Sequence, residues 1–210
     1  MRLLPWTIGG GVALLLLLTS DPALAAMTQA LPKAERTKKI LEIAKERGIP
    51  DAVALAVFDI ESSGTGFASD GRMIIRYEPH IFKKYAGVEV PAKRGGQNAE
   101  WVNFTKAALV NHEAALKSIS MGIAQIMGFN HKLVGFDTPQ AMYNALSSSE
   151  AAQIQAFFDF IRSTKLENAA RTGQWLTFAR GYNGAGQKGY DTKLSARYKH
   201  YVARGYQGIA

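Results

Sequence analysis

The stretch Ala52-Val53-Ala54-Leu55-Ala56-Val57-Phe58-Asp59-Ile60-Glu61 is apolar almost all round and ends on a carboxylate. A run of this length without a polar face predicts a buried helix. Side chains three, four and seven positions back share one face of a helix, so Glu61 stands beside Phe58, Val57 and Ala54. A carboxyl held against apolar side chains is harder to ionise, and its pKa rises. Such a group can donate a proton near neutral pH. The alternative is a helix-terminal Glu that simply reaches solvent. The residues that follow, Ser62-Ser63-Gly64-Thr65-Gly66-Phe67, end the helix at small residues, which puts the carboxyl at the rim of a cleft. Asp59 lies two positions back and points to nearly the opposite side of the helix, so it is a poor partner for Glu61.

Working outward, Ala34 to Arg47 reads as an amphipathic helix stopped by Gly48 and Pro50. Asp51 is the expected N-cap of the buried helix. Asp70-Gly71 is a hairpin-turn dipeptide, and Met73-Ile74-Ile75-Arg76-Tyr77 is rich in β-branched and aromatic residues. A small β-hairpin beside the buried helix is therefore expected. Pro79 opens a short helix through Tyr85, and residues 86 to 100, with four Gly or Pro, read as a surface loop. Further helices are expected at 103–117, 121–127, 139–146, 149–161, 166–172, 174–182 and 189–203. The fold class is mainly α (α+β), with one domain and no internal repeat.

The chain has 210 residues, no cysteine, and a formal net charge of +8. A basic balance draws a protein to polyanions, but Lys38-Lys39 and Lys83-Lys84 are isolated pairs that solvated helix faces explain. No nucleic-acid partner is expected. His80, His112, His131 and His200 are scattered with no His-x-x-x-His pair, so neither a metal nor another cofactor is expected. Arg2 followed by the apolar run Leu3 to Leu18 and by Ala23-Leu24-Ala25 is the layout of a signal peptide over residues 1–25. A retained anchor is the alternative. With cleavage after Ala25, residues 26–210 form the domain, exported to the periplasm or secreted, with no stable membrane span and as a monomer.

Three segments in order carry a resemblance: Glu61-Ser62, then Ser120-Met121-Gly122-Ile123-Ala124-Gln125, then Ala179-Arg180-Gly181-Tyr182-Asn183. They are similar to the signatures of the lysozyme-like superfamily, which includes goose-type lysozymes and lytic transglycosylases. The nearer resemblance is to the N-acetylmuramidase domains of phage endolysins. In those, Glu-Ser-x-Gly-x-Gly-Phe is followed by Asp-Gly-Arg and Phe-Glu-x-His-x-Phe, here Asp70-Gly71-Arg72 and Tyr77-Glu78-Pro79-His80-Ile81-Phe82. The resemblance runs from about residue 35 to about residue 205.

It implies a lysozyme-like fold, and a peptidoglycan glycosidase cutting the β-1,4 bond between N-acetylmuramic acid and N-acetylglucosamine, with Glu61 as general acid. A family Glu falls at Glu78, so Glu78 is the first choice for a second carboxylate and Asp70 the second; an Asp at that turn is also favoured for turn geometry alone. Ser62, Ser120, Met121, Gly122, Gln125, Tyr182, Asn183 and His80 are the implied substrate-binding positions. Gln125 is a lone amide in an apolar segment, so it must find polar partners, either a sugar or a neighbouring loop. A Tyr182 ring could stack on a sugar, and Asn183 offers one donor and one acceptor to an acetamido group. Tyr198 and Tyr201 read as core. Two other functions stay open: a lytic transglycosylase, in which the muramic 6-hydroxyl replaces water, and a non-catalytic peptidoglycan-binding protein.

Overall fold

A computed structural model describes residues 30–62, 64–183 and 189–210. The expected signal segment, Ser63 and residues 184–188 lie outside the described residues, as does the side chain of Asn183. The elements in chain order are helices α1 (Lys33–Glu46) and α2 (Asp51–Glu61), strand β1 (Ile75–Tyr77), and helices α3 (Pro79–Ala86), α4 (Gly96–Val110) and α5 (His112–Lys117). Strands β2 (Ile119–Met121) and β3 (Ile126–Met127) and a 3-10 helix (Gly128–Val134) follow. Helices α6 (Pro139–Ser148), α7 (Glu150–Ser163), α8 (Glu167–Arg171), α9 (Trp175–Asn183) and α10 (Tyr190–Val202) complete the chain. Among the described residues no helix is long and apolar enough to cross a membrane.

The apolar run does form the central helix. Every residue of α2 from Ala52 to Phe58 is buried, and each large apolar side chain contributes about 1.5–3 kcal/mol by leaving water. Helices α1, α8 and α10 pack around it, and Phe58 meets Phe157 of α7 edge-on, with ring centroids 5.4 Å apart. The α7 stripe Ile154, Phe157, Phe158 and Ile161 is buried as the pattern predicts. The cap is different from the expectation. Pro50 holds the N-cap position and Asp51 is the first helical residue, where its charge favours the positive end of the helix dipole. The Ala52 N–H is satisfied by the Gln207 carbonyl (3.0 Å), so the C-terminal tail closes the helix start.

The largest departure concerns Met121 to Met127, read as a short buried helix and found as strand, turn and strand. The sheet order is β1-β2-β3, all antiparallel, with Ile75 opposite Met121 and Met121 opposite Ile126. The turn between β2 and β3 is made by Gly122 at φ 69 and Gln125 at φ 50, both left-handed, which no helix tolerates. The expected Asp70-Gly71 hairpin exists, but as a single bridge, Phe67 to Met73, leading into β1.

One expected helix over 103–117 begins earlier, at Gly96, and breaks at Asn111, whose extended backbone lets its side chain accept from the Ala114 N–H and start α5. The earlier start covers the free edge of β1. The Gln97 side chain bonds both the N–H and the carbonyl of Ile75 at 3.0 Å, and Glu100 accepts from the Tyr77 N–H at 2.8 Å. An edge strand so occupied is closed to further pairing.

Candidate active site

Glu61 is the last residue of α2 and is half-buried. Ser62 follows as the C-cap, its N–H bonded to the Phe58 carbonyl at 2.8 Å. Beyond it the chain is anchored from two sides. Arg36 of α1 donates to the Gly64 carbonyl at 3.0 Å, and its guanidinium is held by Glu150, which also accepts from the Leu31 N–H at 2.6 Å. The Glu150 side chain is fully buried, so this pair is a fixed post and not a surface contact. On the other side the Gly66 carbonyl accepts from the Ile74 N–H at 2.9 Å, and Ile74 in turn accepts from Gly122 at 2.8 Å. The loop after Glu61 is thereby sewn to the sheet.

Gln153 of α7 occupies the junction. Its Oε1 accepts from the Ile123 N–H at 2.8 Å, and its Nε2 donates to the Leu146 carbonyl at 2.7 Å. A Cβ at either Gly66 or Gly122 would run into the Gln153 amide. At Gly122, one of the implied substrate-binding positions, the space that a Cβ would take is filled by this buried amide. Gln125 lies in the same turn. It accepts from the Ser120 hydroxyl at 2.8 Å and donates to the Gly122 carbonyl at 2.8 Å and the Ile74 carbonyl at 3.3 Å. Of the two partners open to Gln125 in the sequence, the loop is the one the structure supplies, and one acceptor site on its oxygen stays available. Met121 is fully buried on the core side of β2.

Tyr182, near the end of α9, faces the same place. Burial pushes its phenol well above the ordinary value, and the charge of Glu61 and the neighbouring Tyr190 push it further. Tyr182 therefore stays a neutral hydroxyl close to the Glu61 carboxyl throughout the neutral range. Its ring is stacked on Phe178 (5.8 Å, 13°) and edge-on to Phe160 (5.6 Å). Tyr182 and Gln125 line one cavity of about 210 Å³ together with Met127, Asn130 and Phe160. Asn183 ends α9, and its side chain lies outside the described residues. Tyr190, which the sequence reading did not single out, donates to the Ile60 carbonyl at 3.2 Å and so ties the start of α10 to the end of α2.

The two candidates for a second carboxylate stand on other elements. Residues opposite each other in an antiparallel pair share a face, and so do residues two apart. Arg76 pairs with Ser120, and Ser120 with Met127, so Arg76, Glu78 and Ser120 project from one face of the sheet while Ile75, Tyr77 and Met121 fill the core. Glu78 is about one quarter exposed, paired with Arg76 at 3.1 Å and approached by His80 Nδ1 at 3.7 Å. His80 itself is exposed.

Asp70 sits at the exposed hairpin tip. It accepts from the Arg72 N–H at 3.0 Å and from its guanidinium at 2.8 and 2.6 Å, and these bonds hold its carboxyl below the usual carboxylate range. Arg72 also bonds Asn98 and lies over the Trp101 ring at 5.5 Å. Asp70 thus anchors the turn to α4.

Asp59 points to α10, as the spacing requires, and accepts from Tyr201 at 2.5 Å. Tyr198 packs on Trp175 and accepts from the Ile209 N–H at 2.9 Å; both tyrosines join helices and tail to the core. His131, one of the four scattered histidines, is buried. Among the described residues no group of three His, Cys, Asp or Glu side chains could hold a metal ion.

Gln153, Glu150 and Arg36 went unseen in the sequence because their partners, backbone groups and for Arg36 and Glu150 also each other, lie far away along the chain. The one signal was Ser149-Glu150, which marks a helix start, and Ser149 does cap α7 by accepting from the Ala152 N–H.

Against known proteins, a family model described as N-acetylmuramidase matches residues 50–202. The crystal structure of the Burkholderia AP3 phage endolysin superposes with a TM-score of 0.72 at 33% sequence identity, covering 80% of this chain and 71% of that one. No curated protein matches the chain.

Proposed function

The chain belongs to the N-acetylmuramidase family, and from that premise we propose that it is an exported hydrolase of the muramic acid to N-acetylglucosamine bond in peptidoglycan, with Glu61 as general acid and Glu78 as the auxiliary carboxylate. Family membership makes it a peptidoglycan-cleaving glycosidase; the bond, the residues and the export are the proposal. The observation that carries it is the convergence of the three motif segments: Glu61 acts on the Tyr182 phenol, and Tyr182 shares a cavity with Gln125.

In this mechanism the Glu61 carboxyl gives its proton to the glycosidic oxygen as the bond from that oxygen to C1 breaks. Water adds to C1 from the other side and Glu78 takes a proton from it; Glu78 then releases that proton to solvent, and Glu61 takes one up from solvent, which restores both groups. Tyr182 donates its hydroxyl beside the acid, and the free acceptor site on Gln125 meets a sugar donor. Arg76 keeps Glu78 oriented on the sheet face. Asp70 supports the wall through Arg72, and the segment 1–25 directs export. The net charge of +8 attracts the chain to the anionic wall, over about 8 Å at physiological ionic strength.

Transglycosylation by the same acid differs in product alone, because the muramic 6-hydroxyl attacks in place of water. Mass spectrometry of fragments released from purified sacculi tests the proposal. Hydrolysis leaves reducing muramic ends. Predominant 1,6-anhydro ends would overturn the hydrolytic reading, and reducing ends on N-acetylglucosamine would overturn the bond assignment.

A further inference from the structure

The polar face of the sheet does not stop at Glu78. The Glu78 N–H bonds the Ser118 carbonyl at 2.9 Å, and Gly128 is packed so closely on the Leu116 carbonyl that no Cβ fits there. Both contacts bring α3, α5 and the 3-10 helix together at the Glu78 end of the sheet. Here the rings of Tyr85 and Phe129 lie 6.4 Å apart at 34°, each more than a third exposed. Lys117 Nζ stands 5.1 Å from the Tyr85 ring and Lys84 Nζ 5.6 Å. None of these four side chains takes part in the chemistry proposed above.

Lys117 also lines an adjoining cavity of about 570 Å³, together with Lys132, Glu113, Asp137, His112 and His131. The Glu113 carboxylate bonds Lys117 at 2.6 Å. His131 is buried with Nδ1 on the Gly128 carbonyl at 3.1 Å, which leaves Nε2 as the other polar atom of its ring. The cavity therefore presents ammonium groups and carboxylates together, beside a pair of open aromatic rings. A polyanion would call for one sign alone. A ligand carrying a free amine and a free carboxylate on one short chain, attached to a sugar, satisfies all three features: the amine meets Glu113 or Asp137, the carboxylate meets Lys132 or Lys117, and the sugar ring lies on the aromatic pair.

We propose that this platform and cavity form an accessory site for the amino-acid stem of peptidoglycan, with an attached sugar stacked on Tyr85 and Phe129. The inference rests on peptidoglycan being the substrate. Its size suits a small ligand, since such sites occupy about 300–1,000 Å³. The site would hold the insoluble wall while the Glu61 cleft works on the glycan, supplying attachment by recognition in addition to net charge.

The test uses the full chain carrying Glu61→Gln, so that the wall is bound and not consumed. Binding to purified sacculi is compared with binding to sacculi stripped of their stem peptides by an amidase. In that background Lys132→Glu and the pair Tyr85→Ala/Phe129→Ala are each expected to weaken binding to intact sacculi by roughly tenfold. Lys106→Glu, the same charge change on the exposed face of α4, is expected to leave it within about twofold. Stripping the peptides should bring the parent protein down to the Lys132→Glu level. Equal binding to intact and stripped sacculi would overturn the proposal, as would a Lys132→Glu loss no greater than that of Lys106→Glu. Lys132 is exposed, so this arm stands even where the aromatic pair destabilises the fold. The readout is binding, so a protein that binds in this pattern without cleaving would count against the catalytic reading alone.

Discussion

Glu61 and Glu78 are the same type of side chain in opposed surroundings. Glu61 closes a helix whose residues from Ala52 to Phe58 are all buried apolar groups, with a neutral phenol nearby. Glu78 leaves the polar face of an edge strand with Arg76 at 3.1 Å and His80 at 3.7 Å. The difference lies in what the flanking elements supply: a buried apolar helix ends at Glu61, the polar face of a strand ends at Glu78, and on the reading proposed above the first is the acid and the second the base.

The sharpest way to break this contrast is Glu61→Gln, which keeps shape and removes the proton. Turnover of purified sacculi should fall by about 10³-fold or more, since general-acid assistance typically supplies about 10²–10⁴-fold. Glu78→Gln comes next, with an expected loss of about 10²-fold in kcat and a smaller change in KM, because water remains a weak nucleophile without its base. Equal losses for the two variants on every substrate would erase the distinction between the roles.

Gln153→Leu attacks the junction where α7 meets the loop after Glu61 and the turn between β2 and β3. It leaves the Ile123 N–H and the Leu146 carbonyl without their buried partner, at about 1–3 kcal/mol for each group. Chemical denaturation should report a loss of roughly 2–6 kcal/mol, with activity per folded molecule much less affected than in either carboxylate variant.

Asp70→Asn gives the smallest effect and a pH signature. Arg72 holds the folded-state carboxyl below the ordinary carboxylate value, so the stabilisation is present above that value and is lost as pH falls through the lower, folded one. The variant should melt slightly below the parent at pH 7, and the gap should close under acid. A large loss of activity at unchanged stability would instead put Asp70 into the chemistry.

Helix α2 was legible because nothing in its apolar run offers an alternative face, and α7 because the Ser149 cap and the stripe through Ile161 agree. Residues 119–127 were not. A short apolar run fits a buried helix or buried strands equally well by periodicity, and the decision rests on left-handed backbone at Gly122 and Gln125 together with pairing to β1 across three intervening helices. The position of Glu61 followed from sequence for the same reason as α2. The bonds that place it, from Arg36 to Gly64 and from Gln153 to the glycine-lined junction, depend on tertiary contacts between residues far apart in the chain. Asp51 shows the limit on a smaller scale: Asp is a good cap, yet the rigid Pro50 takes the position and leaves Asp51 in the first turn.

The most direct test of Glu61 as the acid compares leaving groups. An aryl glycoside whose phenolate leaves readily needs no proton, whereas the sugar hydroxylate released from a glycan does. Initial rates of Glu61→Gln and parent protein are measured on a short soluble glycan and on the aryl glycoside of the same sugars. The deficit should be about 10³-fold on the first and shrink to about tenfold or less on the second. An equal deficit on both would contradict proton donation by Glu61 and leave it with a role in binding or in the fold.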